Sequence, residues 1–385
     1  RTLGESERHT ATHKTHRGMQ SVDAAVQTGF GTPHEVVGFQ ENVEELPPPS
    51  GTEVLVAMRY SPINPADVNV LEGTYMSLPD SFPSIPGLEG SGEVLSLGPD
   101  AQGMGLLPGD AVFLNSWDPV AKWSPGGCWK THVLVPHPDR LVKVSGDEET
   151  LQQASMMQAN PPTAYGMLKC VHLRPGDWVI QNAGNSGVGC AVIALCKHWE
   201  HPCISVVRRR ETAERLRDEL GAEHVISEED AEGVEGGVST LILDLIKSLA
   251  PTLDHKPVVR LALNAVGGES AKQLARCLSP QGVHVTYGAM GRMPIVIPNP
   301  YLIFKGLSFR GFHLSYYYAE QDAEERGRMW ALLTSLLESG QLRVRVEKVY
   351  PLKDVQLAVQ HAWRPELLGL TKDGKILLNL GSATS

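Results

Sequence analysis

The amino-acid sequence predicts an α/β protein in which a doubly wound parallel sheet is set inside a second, β-rich unit. Three observations predict it. From about residue 152 strand-like and helix-like runs alternate, the pattern of a parallel sheet covered by helices on both faces. Before that point, short β-type runs are separated by Pro and Gly clusters such as LPPPSG and LPGD, as in a small barrel or folded sheet. One strand-to-helix turn, QNAGNSGVGC (181–190), is built from glycines and small polar residues.

The elements follow in chain order. Residues 22–144 contain strand signals at EVLVAMRY (53–60), SGEVLSLG (91–98), DAVFLN (110–115) and WKTHVLV (129–135). PADVNVLEG (65–73) reads as a helix with Pro in its first turn. DWVIQ, CISVV, VVRLALNAV and GVHVTYG are apolar enough for buried parallel strands. GCAVIALCKHW, TAERLRDELG and ESAKQLARCL are the helices between them. Beyond residue 311 come a helix (324–339), strands at VRVEKVY and KILLNL, and a helical DVQLAVQHAW between those strands. This tail is expected to return to the first unit. The division expected is 1–21 leader, 22–155 β-rich unit, 156–310 doubly wound unit and 311–385 completing the first.

Composition narrows the function. The chain has 385 residues, 42% of them hydrophobic, enough for two ordinary cores. A net charge of −10 disfavours general nucleic-acid binding, which needs Lys and Arg against phosphates. No apolar run approaches the roughly 18 residues of a membrane helix. Six scattered cysteines without a C-x-x-C pair read as thiols of a reducing compartment. The first twenty residues are basic and hydroxyl-rich, and read either as a disordered leader or as the remnant of an organelle transit peptide. Glu5 and Glu7 count against the transit reading, because such peptides avoid acids.

The glycine-rich turn carries the chemistry. Gly184, Gly187 and Gly189 form G-x-x-G-x-G rather than the strict G-x-G-x-x-G, so its context matters: a strand before it and a helix after it. There, glycines let the backbone approach a pyrophosphate, and the helix start meets its charge. The alternative is a tight turn in an unrelated α/β protein. The next strand, CISVV, runs into Arg208, Arg209 and Arg210, where an NAD-binding sheet places an acidic residue for the ribose. Guanidinium groups there suit a 2′-phosphate, so the cofactor expected is NADPH; the alternative is a solvated basic helix start.

SPINPADVNVLEGTY (61–75), NPPTAYGML (160–168), VIQNAGNSGVG (179–189), GAEHVI (221–226), LALNAVGGES (261–270), VTYGAMG and LIFKGLSFRGF resemble motifs of the medium-chain dehydrogenase/reductase family, mitochondrial 2-enoyl thioester reductase branch. The resemblance runs from about residue 22 to 380. It implies a GroES-like β domain with an inserted Rossmann domain. It implies NADPH-dependent reduction of trans-2-enoyl thioesters, carried on acyl carrier protein or coenzyme A, in mitochondrial fatty acid synthesis. It further implies a homodimer, no nucleic acid, no membrane, and a mitochondrial matrix location, with the cytoplasm as the alternative.

By position, the resemblance assigns Tyr75 as catalytic proton donor and Asn160 to the nicotinamide side. Asn185, Ser186, Gly187 and Val188 fall on the pyrophosphate, and Arg208, Arg209 and Arg210 on the 2′-phosphate. Tyr287, Gly288, Ala289 and Met290, then Phe312, His313 and Leu314, and finally Lys375 match further cofactor contacts. Without the resemblance, Tyr75 reads as a loop Tyr with its hydroxyl in water. The chain departs from the family in carrying Arg-Arg-Arg for Arg-Asp-Arg and His313 for Trp. Its loop 115–127, with Trp117 and Trp123, is longer. Two other functions fit the same motifs: a zinc-independent quinone or alkenal reductase, and a non-catalytic NADPH-binding protein. No metal site is expected. Where zinc relatives place ligands this chain has Asn64, Pro65, Gly87, Leu88 and Glu89, and Leu cannot ligate a metal.

Overall fold

The structure, a computed structural model, describes residues 18–115, 127–145, 147–253 and 257–381. The leader through residue 17 and most of the Trp117–Trp123 loop therefore lie outside the described residues.

A six-stranded sheet contains His224–Ser227, Cys203–Val207, Asp177–Gln181, Val258–Asn264, Val283–Thr286 and Ser308–Gly311, in that spatial order. Every pairing in it is parallel. Numbered along the chain from Asp177, the order is 3-2-1-4-5-6, the Rossmann arrangement. The order reverses between 177–181 and 258–264, so a crevice opens at their carboxyl ends. There Asn182 donates to Asn264 Oδ1 at 2.8 Å.

The β-rich unit holds a seven-stranded sheet ordered Val346–Pro351, Lys375–Asn379, Val54–Pro62, Ser91–Leu97, Ala111–Leu114 and Leu141–Lys143, with His132–Val135 added on Val54–Pro62. The tail returns as expected: Leu377 pairs with Pro62 and Leu378 with Ser61. The core of this unit includes Val54, Val56, Met58, Trp129, Ile376 and Leu378. Burying a side chain of this size contributes about 1.5–3 kcal/mol.

Several elements went unseen in the sequence, among them an opening hairpin and one apolar helix. The hairpin of Gln20–Gln27 with Val37–Leu46 has its partners separated by a loop that carries no two-residue turn signal. The helix Val238–Leu249 reads locally as an apolar run, STLILDLI, which periodicity alone does not separate from a strand. All six cysteines are free; four are buried, Cys203 is half-buried and Cys170 is exposed. No described helix is long and apolar enough to cross a membrane.

Candidate active site

The turn after Asp177–Gln181 feeds the helix Gly187–His198. Ser186 caps that helix, its Oγ accepting from the Gly189 amide at 3.0 Å, and Cys190 N donates to Ser186 O at 2.8 Å. The amides of Gly187 and Val188 are then the donors that a helix start offers an anion. Space requires the glycine at 189 and crowds any larger residue at 187. A Cβ on Gly189 would lie 2.5 Å from Ala183 O, and one on Gly187 would lie 2.9 Å from the Asn160 side chain.

Asn160 opens the helix Asn160–Lys169, whose prolines sit in the first turn where no amide donor is needed. Its Nδ2 is buried without a hydrogen-bond partner, an arrangement that costs energy unless a ligand accepts from it. The Tyr287 hydroxyl is buried unpartnered in the same way, and burial pushes its phenol up. Tyr287 begins a loop tethered to the crevice: its amide donates to Asn264 O at 3.0 Å, and that of Met290 to Ala265 O at 2.9 Å. Gly288 packs against Ala265, and Ala289 and Met290 face solvent. The cradle closed to Cβ atoms and the orphaned amide both fit a dinucleotide.

At the end of Cys203–Val207 the three arginines diverge. Arg208 is exposed. Arg209 reaches within 4.0 Å of the Asp373 carboxylate. Arg210 turns the other way, its Nε 2.7 Å from Asp230 and its amide donating to Glu229. Asp373 also binds Arg215, Thr212 and Asn185 Nδ2, the last at 3.1 Å, so the phosphate loop and the arginine strand meet on one carboxylate.

Of the remaining predicted contacts, Phe312 and Leu314 direct their side chains into packing. A Cβ on Gly166 would lie 2.6 Å from the Phe312 ring, and Leu314 is buried in the core. His313 precedes the helix Leu314–Glu320; its ring lies 5.5 Å from that of Tyr316, and Nδ1 is buried unpartnered.

Lys375 is buried and donates to Asn64 Oδ1. Asn64 in turn donates to Glu89 Oε1 at 2.8 Å, and Glu89 Oε2 accepts from the Ala159 amide at 3.0 Å. Asp67, in the first turn of Pro65–Glu72, accepts from the amides of Asn64 at 2.7 Å and Leu88 at 3.0 Å. Burial raises the Asp67 carboxyl to about 7, and Glu89 adds to it. Burial also raises Glu89 and lowers Lys375. Asn64 and Glu89 are thus tied to each other and to the Lys375 ammonium. Among the described residues no cluster of His, Cys, Asp or Glu could hold a metal ion.

Tyr75 follows that helix on a loop that Gly73 starts in the left-handed region, φ +74°. It is half-buried, and burial together with the Asp67 charge pushes its phenol up. Sequence reasoning missed Asp67 and Asp373. Asp67 left one signal, the N-x-x-D spacing of a capping box with Asn64. Asp373 left none, because its partners lie 158 to 188 residues away.

A Rossmann sheet inserted in a GroES-type β unit, with a phosphate cradle at the switch point, defines a dinucleotide-dependent dehydrogenase or reductase of the medium-chain class. Residues 50–146 match the alcohol dehydrogenase GroES-like domain and residues 187–334 the zinc-binding dehydrogenase domain. The chain is 37% identical over 348 residues to the mitochondrial enoyl-[acyl-carrier-protein] reductase of Homo sapiens, covering 89% of this chain and 86% of that protein. To the Rattus norvegicus protein of the same name it is 35% identical over 362 residues, covering 93% and 90%. Among solved structures, the complex of Etr1p with NADP and crotonyl-CoA superposes with a TM-score of 0.77 at 29% identity, covering 94% of this chain and 100% of that one. The chain belongs to the mitochondrial enoyl-[acyl-carrier-protein] reductase family.

Proposed function

We propose that this chain reduces trans-2-enoyl thioesters with NADPH and that Tyr75 delivers the proton to the α-carbon. One observation carries the reading. A run of contacts joins the helix that precedes Tyr75 to the phosphate turn. Asp67 on that helix accepts from the Asn64 amide, Asn64 donates to Glu89, Glu89 accepts from the Ala159 amide before Asn160, and the Asn160 side chain lies against Gly187.

When bound, NADPH supplies the hydride that adds to the β-carbon. Asn160 would lie on its nicotinamide side and Lys375 would touch it, with the turn 185–188 at its pyrophosphate and Arg208 with Arg209 at its 2′-phosphate. The loop 287–290 and the backbone at 312–314 complete the groove. Arg210, paired with Asp230, contributes to the field rather than to contact. A phenol has a reference pKa of about 10, and Tyr75 lies above it, so the proton is in place at neutral pH.

The substrate is carried by acyl carrier protein or coenzyme A, and the compartment is the mitochondrion, with the matrix as the finer reading. Ser308–Gly311 is an edge strand of the Rossmann sheet, open to a second copy, which supports a homodimer.

The test uses NADPH deuterated at the transferred position with a crotonyl thioester. Deuterium at the β-carbon of the product is expected. Turnover of quinones or alkenals with none of the thioester would replace this reading by the alternative reductase. Binding of NADPH without turnover of any acceptor would leave a non-catalytic protein.

A further inference from the structure

Glu72 ends the helix Pro65–Glu72, three residues before Tyr75. Its carboxylate meets Arg292 NH2 at 2.9 Å on Oε2 and 3.1 Å on Oε1, and accepts from Trp363 Nε1 at 3.1 Å on Oε1. The Glu72 side chain is 13% exposed although its partner is 68% exposed. Arg292 lies 220 residues along the chain, on the loop that leaves Val283–Thr286. That is the loop of Tyr287–Met290.

The loop is held firmly. Besides the tethers of Tyr287 and Met290, Gly291 N donates to Val266 O at 2.8 Å, and Arg292 N closes a turn on Ala289 O at 2.9 Å. Arg292 has φ +53°, a region that non-glycine residues rarely adopt and that costs energy. The turn spends that energy on aiming a guanidinium out of the Rossmann unit toward the helix that launches Tyr75.

We propose that Glu72 and Arg292 are a positioning pair, clamping the proton-donor loop to the cofactor loop across the cleft. The inference rests on the reading of Tyr75 as donor and of 287–290 as cofactor loop. Neither unit needs the pair for its own core. Trp363 also holds Glu72 within the β-rich unit, and an ion pair whose guanidinium is 68% exposed adds little to stability. Its effect is on geometry, where an error of about 1 Å in a reacting group costs large factors in rate.

The test is Arg292→Gln, measured alone and in the Tyr75→Phe background, with Arg292→Lys as the conservative variant. Arg292→Gln is expected to keep its melting temperature and its NADPH affinity within about twofold, while kcat falls about tenfold. Arg292→Lys restores most of the loss. In the Tyr75→Phe background the further loss disappears, because the pair acts through that hydroxyl. An unchanged kcat in Arg292→Gln, or the same fractional loss with and without the Tyr75 hydroxyl, overturns the proposal. Those outcomes are separate from a failure of the functional reading, which would show as full activity in Tyr75→Phe alone.

Discussion

The proposed proton step rests on a single hydroxyl, that of Tyr75. Tyr75→Phe removes it and keeps the ring, so the fold and NADPH affinity should survive while the rate falls about 10²- to 10⁴-fold, or about 3–5 kcal/mol of barrier. Near-normal turnover with a hydride isotope effect on kcat would assign the proton to another group. Gly187 tests the cradle. In Gly187→Ala the new Cβ would sit 2.9 to 3.1 Å from the atoms of the Asn160 amide, a flexible end that can move. The variant should fold, losing about 1–3 kcal/mol to overpacking. It should bind NADPH at least about tenfold more weakly, since the orphaned amide and the anion site shift together; calorimetric titration checks it. Gly187, Asn160 and Tyr75 were singled out in the sequence because each sits in a contiguous motif, the last two through the family resemblance. Arg292 and Glu72 were not, since no local pattern announces an ion pair closed by folding.

Two elements set the electrostatics. The end of Cys203–Val207 presents Arg209 beside Asp373, and Arg209→Glu puts a carboxylate where a 2′-phosphate would lie. That variant should lose far more affinity for NADPH than for NADH in parallel titrations. Equal losses would mean that Arg209 does not discriminate. The helix Pro65–Glu72 buries Asp67, whose carboxyl stands at about 7 against an ordinary 3.8. The folded state therefore binds this proton more tightly than the unfolded chain. Its stability contribution is complete below about pH 4 and is lost as pH rises through about 7. Asp67→Asn should flatten that part of the pH profile in urea unfolding between about pH 4 and 8. Glu89 pulls in the same direction and Lys375 in the opposite one, so the difference between variant and parent isolates Asp67. A profile parallel to the parent's would contradict the assignment. Four of the six parallel strands were readable because burial on both faces leaves continuous apolar runs, DWVIQ and CISVV matching their observed ends. The opening hairpin was not, because half-exposed alternation such as VGFQENVEEL is a weak signal.

At the scale of the whole molecule, two sheets distant in sequence order share one cleft. The chain crosses from the β-rich unit into the Rossmann sheet and comes back as Lys375–Asn379 beside Val54–Pro62. Lys375 thereby arrives 311 residues after Asn64 and joins the buried amide–carboxylate cluster at the base of the Pro65–Glu72 helix, a meeting that no local pattern announces. Among the described residues no cluster of His, Cys, Asp or Glu could hold a metal ion, and the proposed proton step rests on a phenol. The central claim is therefore NADPH-dependent enoyl thioester reduction. The most direct measurement is the initial rate of NADPH oxidation with trans-2-enoyl thioesters of graded chain length, with NADH and a quinone acceptor assayed under identical conditions. The account predicts turnover of the thioesters with NADPH, a much lower rate with NADH, and little with the quinone. Equal rates with NADH and NADPH, or quinone reduction without thioester reduction, would contradict it.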